Sequence, residues 1–353
     1  LTVLITGAAG FVGCKIVEYL YTANPGLSLI GIDNLSRKGS EFNIPVLAKF
    51  NCEFFLGDIS IPGDLKQLPR VDWIIDCAAN PSVLAGLNND SLSLINNNLT
   101  GTFYLLEKCK NDNAGFIMLS TSRVYSIESL CSIPLIKNHN RFTIPHDVTF
   151  PEGFSKLGVS EQFSTAAPIS LYGATKLASE VLALEYHYSF GFQVWINRCG
   201  VIAGPGQFGK IDQGIFSYWI YQYLLNKPLS YIGYGGTGLQ ARDMVHPYDV
   251  FKLVYNQMIN PILESPKIIN IGGGVENTRS LAELNEFCIQ HIDKTNTINS
   301  IPENRKYDIP YYATDYSIAQ SIWNWTPSIG SDEILHEILE YGRNHLDHIS
   351  RIS

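Results

Sequence analysis

The feature that most narrows the folds open to this chain is an alternation that fills its first two hundred residues. Short apolar runs at 3–6, 27–32, 52–56, 73–77, 115–120 and 193–197 read as strands, and helical patterns at 10–21, 99–110 and 171–188 separate several of them. Branched apolar residues on both faces of these runs point to strands covered on each side, and therefore to a parallel sheet flanked by helices. The expected architecture is an α/β, Rossmann-like doubly wound sheet over 1–198, with a segment near 244–275 returning to it. The remainder, 199–353, is expected to form a smaller α/β substrate domain with helices at 214–225, 280–291 and 331–345. A strand at 268–271 is expected to rejoin the main sheet. The stretch 126–169 lacks periodicity and is long for a loop, a length that is often functional.

Composition excludes several classes. The 353 residues carry 25 Lys+Arg against 33 Asp+Glu, a net charge of −8, which disfavours general nucleic-acid binding. No apolar run reaches the roughly 18 residues that span a bilayer, and the leading apolar run lacks the basic stretch of a secretory signal. The seven cysteines are scattered with no CxxC pair, so no metal site is expected. A cytoplasmic protein with no membrane partner is the resulting expectation.

Gly7, Gly10 and Gly13 stand between the first strand and the first helix. This spacing lets the backbone turn tightly against a diphosphate, while the helix N-terminus at Phe11 and Val12 offers N–H groups and a positive dipole end. Asp33 follows twenty residues after Gly13, in a segment with Asn34, Ser36 and Arg37. A carboxylate there accepts from the adenosine ribose hydroxyls and repels a 2′-phosphate, so NAD is the expected cofactor. Arg37 and Lys38 keep NADP as the alternative. Asp58 and Ile59, after the third strand, are placed to reach the adenine.

Tyr172 and Lys176 lie four apart, on one face of a helix. Thr121 lies at the end of the fifth strand, the edge where open α/β sheets bind ligands. A free tyrosine has a pKa of about 10, and a base working near neutrality must come down by roughly three units. One ammonium at about 4 Å supplies about that much, which makes the spacing adequate for a general base.

Together these residues resemble the extended short-chain dehydrogenase/reductase family over nearly the whole chain. Asp76-Cys-Ala78-Ala79, Asn98-Leu-Thr-Gly101-Thr102 and Arg242-Asp243-Met-Val-His246-Pro-Tyr-Asp249 are similar to further segments of that family. The resemblance implies that Ala78, Ala79 and Asn98 flank NAD, with Thr121, Tyr172 and Lys176 forming the catalytic set. It implies a nucleotide diphosphate sugar as substrate. The segments 33–39, 120–125, 207–214 and 270–274 are similar to the CDP-tyvelose/CDP-paratose 2-epimerase group, which implies a CDP-linked sugar and oxidation followed by re-reduction of one ring carbon. Asn80, where that group has Gln, and Gln207 and Gln213 are then expected at the sugar. Arg242 and Arg305 are expected to clamp the diphosphate, because guanidinium forks match phosphate oxygens. Arg123 is expected to contact the sugar or an adjoining carboxylate. A homo-oligomer is expected.

The alternatives are a UDP-glucose-type 4-epimerase and a 4,6-dehydratase. The dehydratase resemblance requires an Asp-Glu pair directly after the threonine, where this chain has Ser122 and Arg123. A non-catalytic NAD(H) sensor is the reading from another class. His139, His146 and His246 lack metal-ligand spacing. Trp323 and Trp325 are expected to anchor the last helix in the core.

Overall fold

The computed structural model describes residues 1–87, 90–292 and 296–352. Its centre is a seven-stranded sheet. In chain order the strands are β1 (Thr2–Thr6), β2 (Ser28–Asp33), β3 (Cys52–Leu56), β4 (Trp73–Asp76), β5 (Gly115–Thr121), β6 (Val194–Cys199) and β7 (Ile268–Ile271). They lie side by side as β7-β6-β5-β4-β1-β2-β3, and every neighbouring pair is parallel. The chain winds outward from β1 through β2 to β3, then returns to β4 on the other side. Loops at that reversal diverge and leave a crevice at the C-terminal edge.

Alternate strand residues point to opposite faces, and both faces are covered. Val3, Ile5, Ile75, Ile117 and Trp195 pack with Ile16, Val17 and Leu20 of helix α1 (Phe11–Ala23). Leu4, Ile30, Ile74, Phe116, Met118 and Ile196 pack on the other side. They meet Leu105 and Leu106 of helix α2 (Gly101–Asp112) and Ala183 of helix α3 (Ser170–Phe190).

The expected strands are present, with ends that differ by one or two residues. The largest difference is instructive. β6 runs on to Cys199, because Arg198, which ends the apolar run in the sequence, is paired inside the protein with Glu180 at 2.6 Å. Helix α4 (Pro247–Ile259) was not expected; it packs against α1, with the His246 ring accepting from the Tyr248 N–H at 3.2 Å at its start. The 126–169 stretch is not a plain loop. It holds a helix at Ile127–Cys131 and short hairpins, and Leu130, Ile133, Phe154, Val159 and Phe163 share a core with Tyr311 and Tyr312. Strands of two or three residues are too short to show periodicity.

Trp323 and Trp325 are buried, but they do not anchor the last long helix. Trp323 meets Trp195 edge-on at 5.8 Å and the Trp325 indole donates to the Asp249 carbonyl at 2.7 Å, so both belong to the sheet-side core. The helix Ser331–Asn344 instead uses Ile334, Leu335, Ile338 and Leu339 against Trp219 and Ile220.

A second sheet joins Val201–Ile202, Ala241–Val245, Thr278–Ser280 and Tyr311–Tyr312. At its centre Asp243 is fully buried and accepts N–H bonds from Gly273, Gly274 and Thr314 through one oxygen. Burial outweighs those bonds and pushes its pKa up to about 6. Protonated Asp243 is therefore favoured by folding; this stability is present below the ordinary carboxylate pKa and is lost as pH rises through about 6. The Asp243→Asn variant should lack that loss. Chemical denaturation from pH 4 to 7 is expected to show wild type losing roughly 2 kcal/mol relative to the variant, and parallel curves for the two proteins would refute the assignment.

Candidate functional site

Close approach makes the glycines of the first turn necessary. Gly7 has φ +59°, and a Cβ there would lie 3.0 Å from the Ala78 Cα. A Cβ on Gly13 would lie 2.2 Å from the Gly7 carbonyl oxygen. Helix α1 has no side-chain cap and no acid in its first turn, which leaves its positive end to a ligand anion. Thr6 ties this turn to the neighbouring strand end. Its hydroxyl donates to Asp76 at 2.7 Å and accepts from the Cys77 and Ala78 N–H groups at 3.1 Å.

Asp33 closes the same turn. Its carboxylate accepts from the Ala9 N–H at 3.1 Å and the Leu35 N–H at 2.8 Å. Burial pushes its pKa up, against those bonds. Gly7, Gly10, Phe11, Val12, Gly13, Asp33, Asn34, Ser36, Arg37, Ile59, Ala78 and Ala79, all expected at the cofactor, line one cavity of about 450 Å³. That cavity continues to Thr121, Arg123 and Tyr172, and to Gln207, Gln213, Arg242 and Arg305 from the C-terminal half.

At the reactive end Tyr172 is buried, and Thr121 accepts from the Arg123 N–H at 3.1 Å. Burial pushes the Tyr172 pKa up to about 12, while the Thr121 hydroxyl and the Arg123 guanidinium act downward. The spacing had Lys176 in that role. Lys176 is 1% exposed, and its charge acts on the Cys77 and Cys199 thiols. The cation acting on Tyr172 in this arrangement is Arg123.

Arg242 donates to the Ala241 carbonyl at 2.8 Å, to Asp308 at 3.3 Å and to the Ile309 carbonyl. Burial and the charge of Arg123 lower its pKa to about 10. Arg305 donates to the Ile211 carbonyl at 3.3 Å. Arg123, Arg242 and Arg305 thus converge around Asp308. Arg37 donates to the Gln213 side chain and, at 2.8 Å, to the Phe208 carbonyl, while Ser82 donates to Asp212 at 2.5 Å. The 207–213 segment is thereby held against the dinucleotide side of the cleft, and Gln207 is turned to the Ile202 carbonyl at 3.1 Å.

Four expected residues stand off the cavity wall. Asp58 is occupied by Asn34 at 2.8 Å and by Ser60 at 2.6 Å. Asn98 is 1% exposed and braces Asn80, also off the wall, through a 2.8 Å bond from the Asn80 N–H, and Lys176 is 1% exposed. Gln240, Tyr307 and Asp308 line the cavity without having been expected. Gln240 stands two before Arg242, a strand spacing that puts both on one face. Asp308 is 66 residues from Arg242, and no local pattern connects them.

Residues 3–272 match the model of the NAD-dependent epimerase/dehydratase family. The chain belongs to that family. Among curated relatives, it is 27% identical to the CDP-paratose 2-epimerase of Salmonella typhi, over 96% of this chain and 98% of the relative. It is 28% identical to the UDP-glucuronate 4-epimerase of Thermodesulfobacterium geofontis, over 99% and 98%. The Bacillus cereus UDP-glucuronic acid 4-epimerase, solved with UDP-glucuronic acid and NAD, superimposes with a TM-score of 0.78, at 26% identity and full coverage of both chains. This family member's cofactor is NAD, and the glycine cradle, the uncapped helix end and Asp33 fit it.

Arg37, one of the two cations that could accommodate a 2′-phosphate, is engaged by the Gln213 side chain and the Phe208 carbonyl, while Asp33 would repel that phosphate. Calorimetry should find NAD bound more tightly than NADP, and Asp33→Ala should weaken NAD by about 1–3 kcal/mol through lost bonds to an ionised acceptor. Equal affinity of wild type for the two dinucleotides would refute this role.

Proposed function

We propose that this protein is a nucleotide-sugar epimerase acting on a CDP-linked sugar at C2. The observation that carries the reading is that Thr121 and Tyr172 both line the cavity that begins at the glycine cradle, with the Thr121 hydroxyl acting on the phenol. Residues 1–198, with the segment returning at 244–275, would hold the cofactor, and 199–353 would hold most of the substrate.

NAD held at the Gly7–Gly13 cradle and Asp33 would supply reversible hydride chemistry. The residues around it move the proton. Tyr172 takes the proton of the sugar hydroxyl and gives it back after the ring has turned, while Thr121 shares that hydroxyl. Arg123 favours the tyrosinate. Lys176, one turn after Tyr172 on the same helix face, would hold the ribose by turning its side chain toward the cavity. Arg242 and Arg305 hold the diphosphate, and Gln207, Gln213 and Asn80 belong to the sugar side. Dehydration is disfavoured because Ser122 and Arg123 replace the acid pair, and a sensor would have no use for the Thr121–Tyr172–Lys176 set.

The CDP and C2 assignments rest on likeness to the 2-epimerase group. One observation favours a second reading, a UDP-glucuronate-type 4-epimerase: Arg123 reaches Tyr172, where a sugar carboxylate would need a cation. Proton NMR of products from CDP-paratose, UDP-glucuronate and UDP-glucose decides between them. Inversion of CDP-paratose at C2 is expected; inversion of either UDP-sugar at C4, with CDP-paratose untouched, overturns the assignment.

Tyr172→Phe should lower turnover by about 10²–10⁴-fold, the worth of a positioned acid/base group, with NAD content unchanged. Lys176→Ala should lower both turnover and NAD retention. Full activity of the phenylalanine variant would eliminate Tyr172 as the base.

The expected homo-oligomer has a surface to use. Leu171, Val181 and Tyr188 of α3 are exposed at helical spacing, with Leu92 and Phe103 also exposed on nearby helices. Light scattering should find a dimer that Val181→Arg dissociates; a wild-type monomer would refute this.

A further inference from the structure

Beneath the site lies a buried charged group that the reaction does not use. Arg198 of β6 and Glu180 of α3 are 5% and 1% exposed and form a forked pair, with Arg198 donating at 2.6, 3.1 and 3.2 Å. Ser120 of β5 donates to the same carboxylate at 2.5 Å. Arg198 also reaches the Tyr125 hydroxyl at 3.4 Å, and that hydroxyl donates to Asn270 at 2.6 Å. The Asn270 N–H in turn donates at 2.6 Å to Glu161, which lies in the 126–169 insertion.

Three members of this chain lie beside residues of the site. Ser120 precedes Thr121. Glu180 lies four residues after Lys176 and eight after Tyr172, on the same helix face. Arg198 precedes Cys199, which is Thr121's register partner across the β5–β6 pair. The carboxylate thus ties together the helix that carries Tyr172 and the strand that carries Thr121. A buried pair is weak as a source of stability, since desolvation offsets most of its attraction, yet its forked geometry resists displacement.

We propose that Glu180 and Arg198 are positioning residues that set the Thr121–Tyr172 geometry, and that Ser120 is the tether through which they act on the strand. The inference rests on the reading of Thr121 and Tyr172 as the reacting pair. A shift of the strand against the helix withdraws the Thr121 hydroxyl from Tyr172, the group that acts against the burial of the phenol. Turnover and the ionisation of Tyr172 change together, while substrate and cofactor contacts stay in place.

The test uses the NAD-loaded enzyme and compares Glu180→Gln, the charge-free double variant Glu180→Leu/Arg198→Met, and Ser120→Ala. The double variant is expected to melt no lower than Glu180→Gln, since it leaves no unpaired buried charge. Its kcat on CDP-paratose or UDP-glucuronate should nevertheless fall by about 10- to 100-fold, as misplacement costs, with KM and NAD affinity within about threefold. Ser120→Ala keeps the ion pair, guards against a double variant that fails to fold, and should lose kcat in the same direction by a smaller factor.

Ultraviolet difference titration against Tyr172→Phe in each background reads the phenol directly and needs no substrate. It should place the Tyr172 ionisation higher in the double variant and in Ser120→Ala than in wild type. A folded double variant with wild-type kcat, or an unmoved Tyr172 ionisation in both backgrounds, overturns the proposal. Full turnover by Tyr172→Phe itself would instead remove the base reading, and the NMR, melting and NAD-affinity arms separate that failure from this one.

Discussion

Parallel strands cannot be joined by hairpins, so each must be followed by a crossover that returns the chain to the other end of the sheet. All strand ends of one kind therefore fall on one edge, and the reversal between β1's neighbours β2 and β4 opens that edge into a crevice. Everything chemical in this protein hangs on that constraint. Gly7 follows β1, Asp33 ends β2, Ala78 follows β4, Thr121 ends β5 and Cys199 ends β6. Residues scattered over two hundred positions meet because the sheet has a single C-terminal edge.

The crevice creates an electrostatic problem that local charge must answer. The chain carries a net −8, yet the cavity wall gathers Arg37, Arg123, Arg242 and Arg305. Burial raises Tyr172 and lowers Arg242, the same desolvation acting on an acid and on a cation. A ligand that brings negative charge relieves the arginines. Arg123 connects the two halves of this problem, since it lies beside both Tyr172 and Asp308.

Polar groups inside the fold are spent on holding strand ends rather than on stability alone. Thr6 with Asp76 ties β1 to β4, the Asp243 carboxylate gathers three N–H groups from two separate loops, and Glu180 with Arg198 ties α3 to β6. In each case the bonded groups come from different elements or loops and lie adjacent to the cavity or to the sheet that backs it. Unpaired, they would be costly to bury. Paired, they define one arrangement of the loops above them.

The alternation of apolar runs was enough to determine the parallel sheet, because a strand buried on both faces must be apolar without interruption. The glycine spacing was enough to mark the tight turn at the start of the cavity, since φ and close approach are local requirements. Legibility ended where a residue's role depends on a distant partner. Arg198 looked like the end of a strand because Glu180 is not visible beside it in the sequence. Lys176 shares a helix face with the phenol, but helical spacing does not say which other groups its charge meets, here the Cys77 and Cys199 thiols. Arg123, Asp308 and the ordered 126–169 segment acquired their places from contacts across the fold. The local backbone chemistry was determined by the sequence alone; which cation faces Tyr172, and which carboxylate faces Arg198, was decided only by the tertiary structure, because burial and charge pairing depend on what packs above each residue rather than on what precedes it.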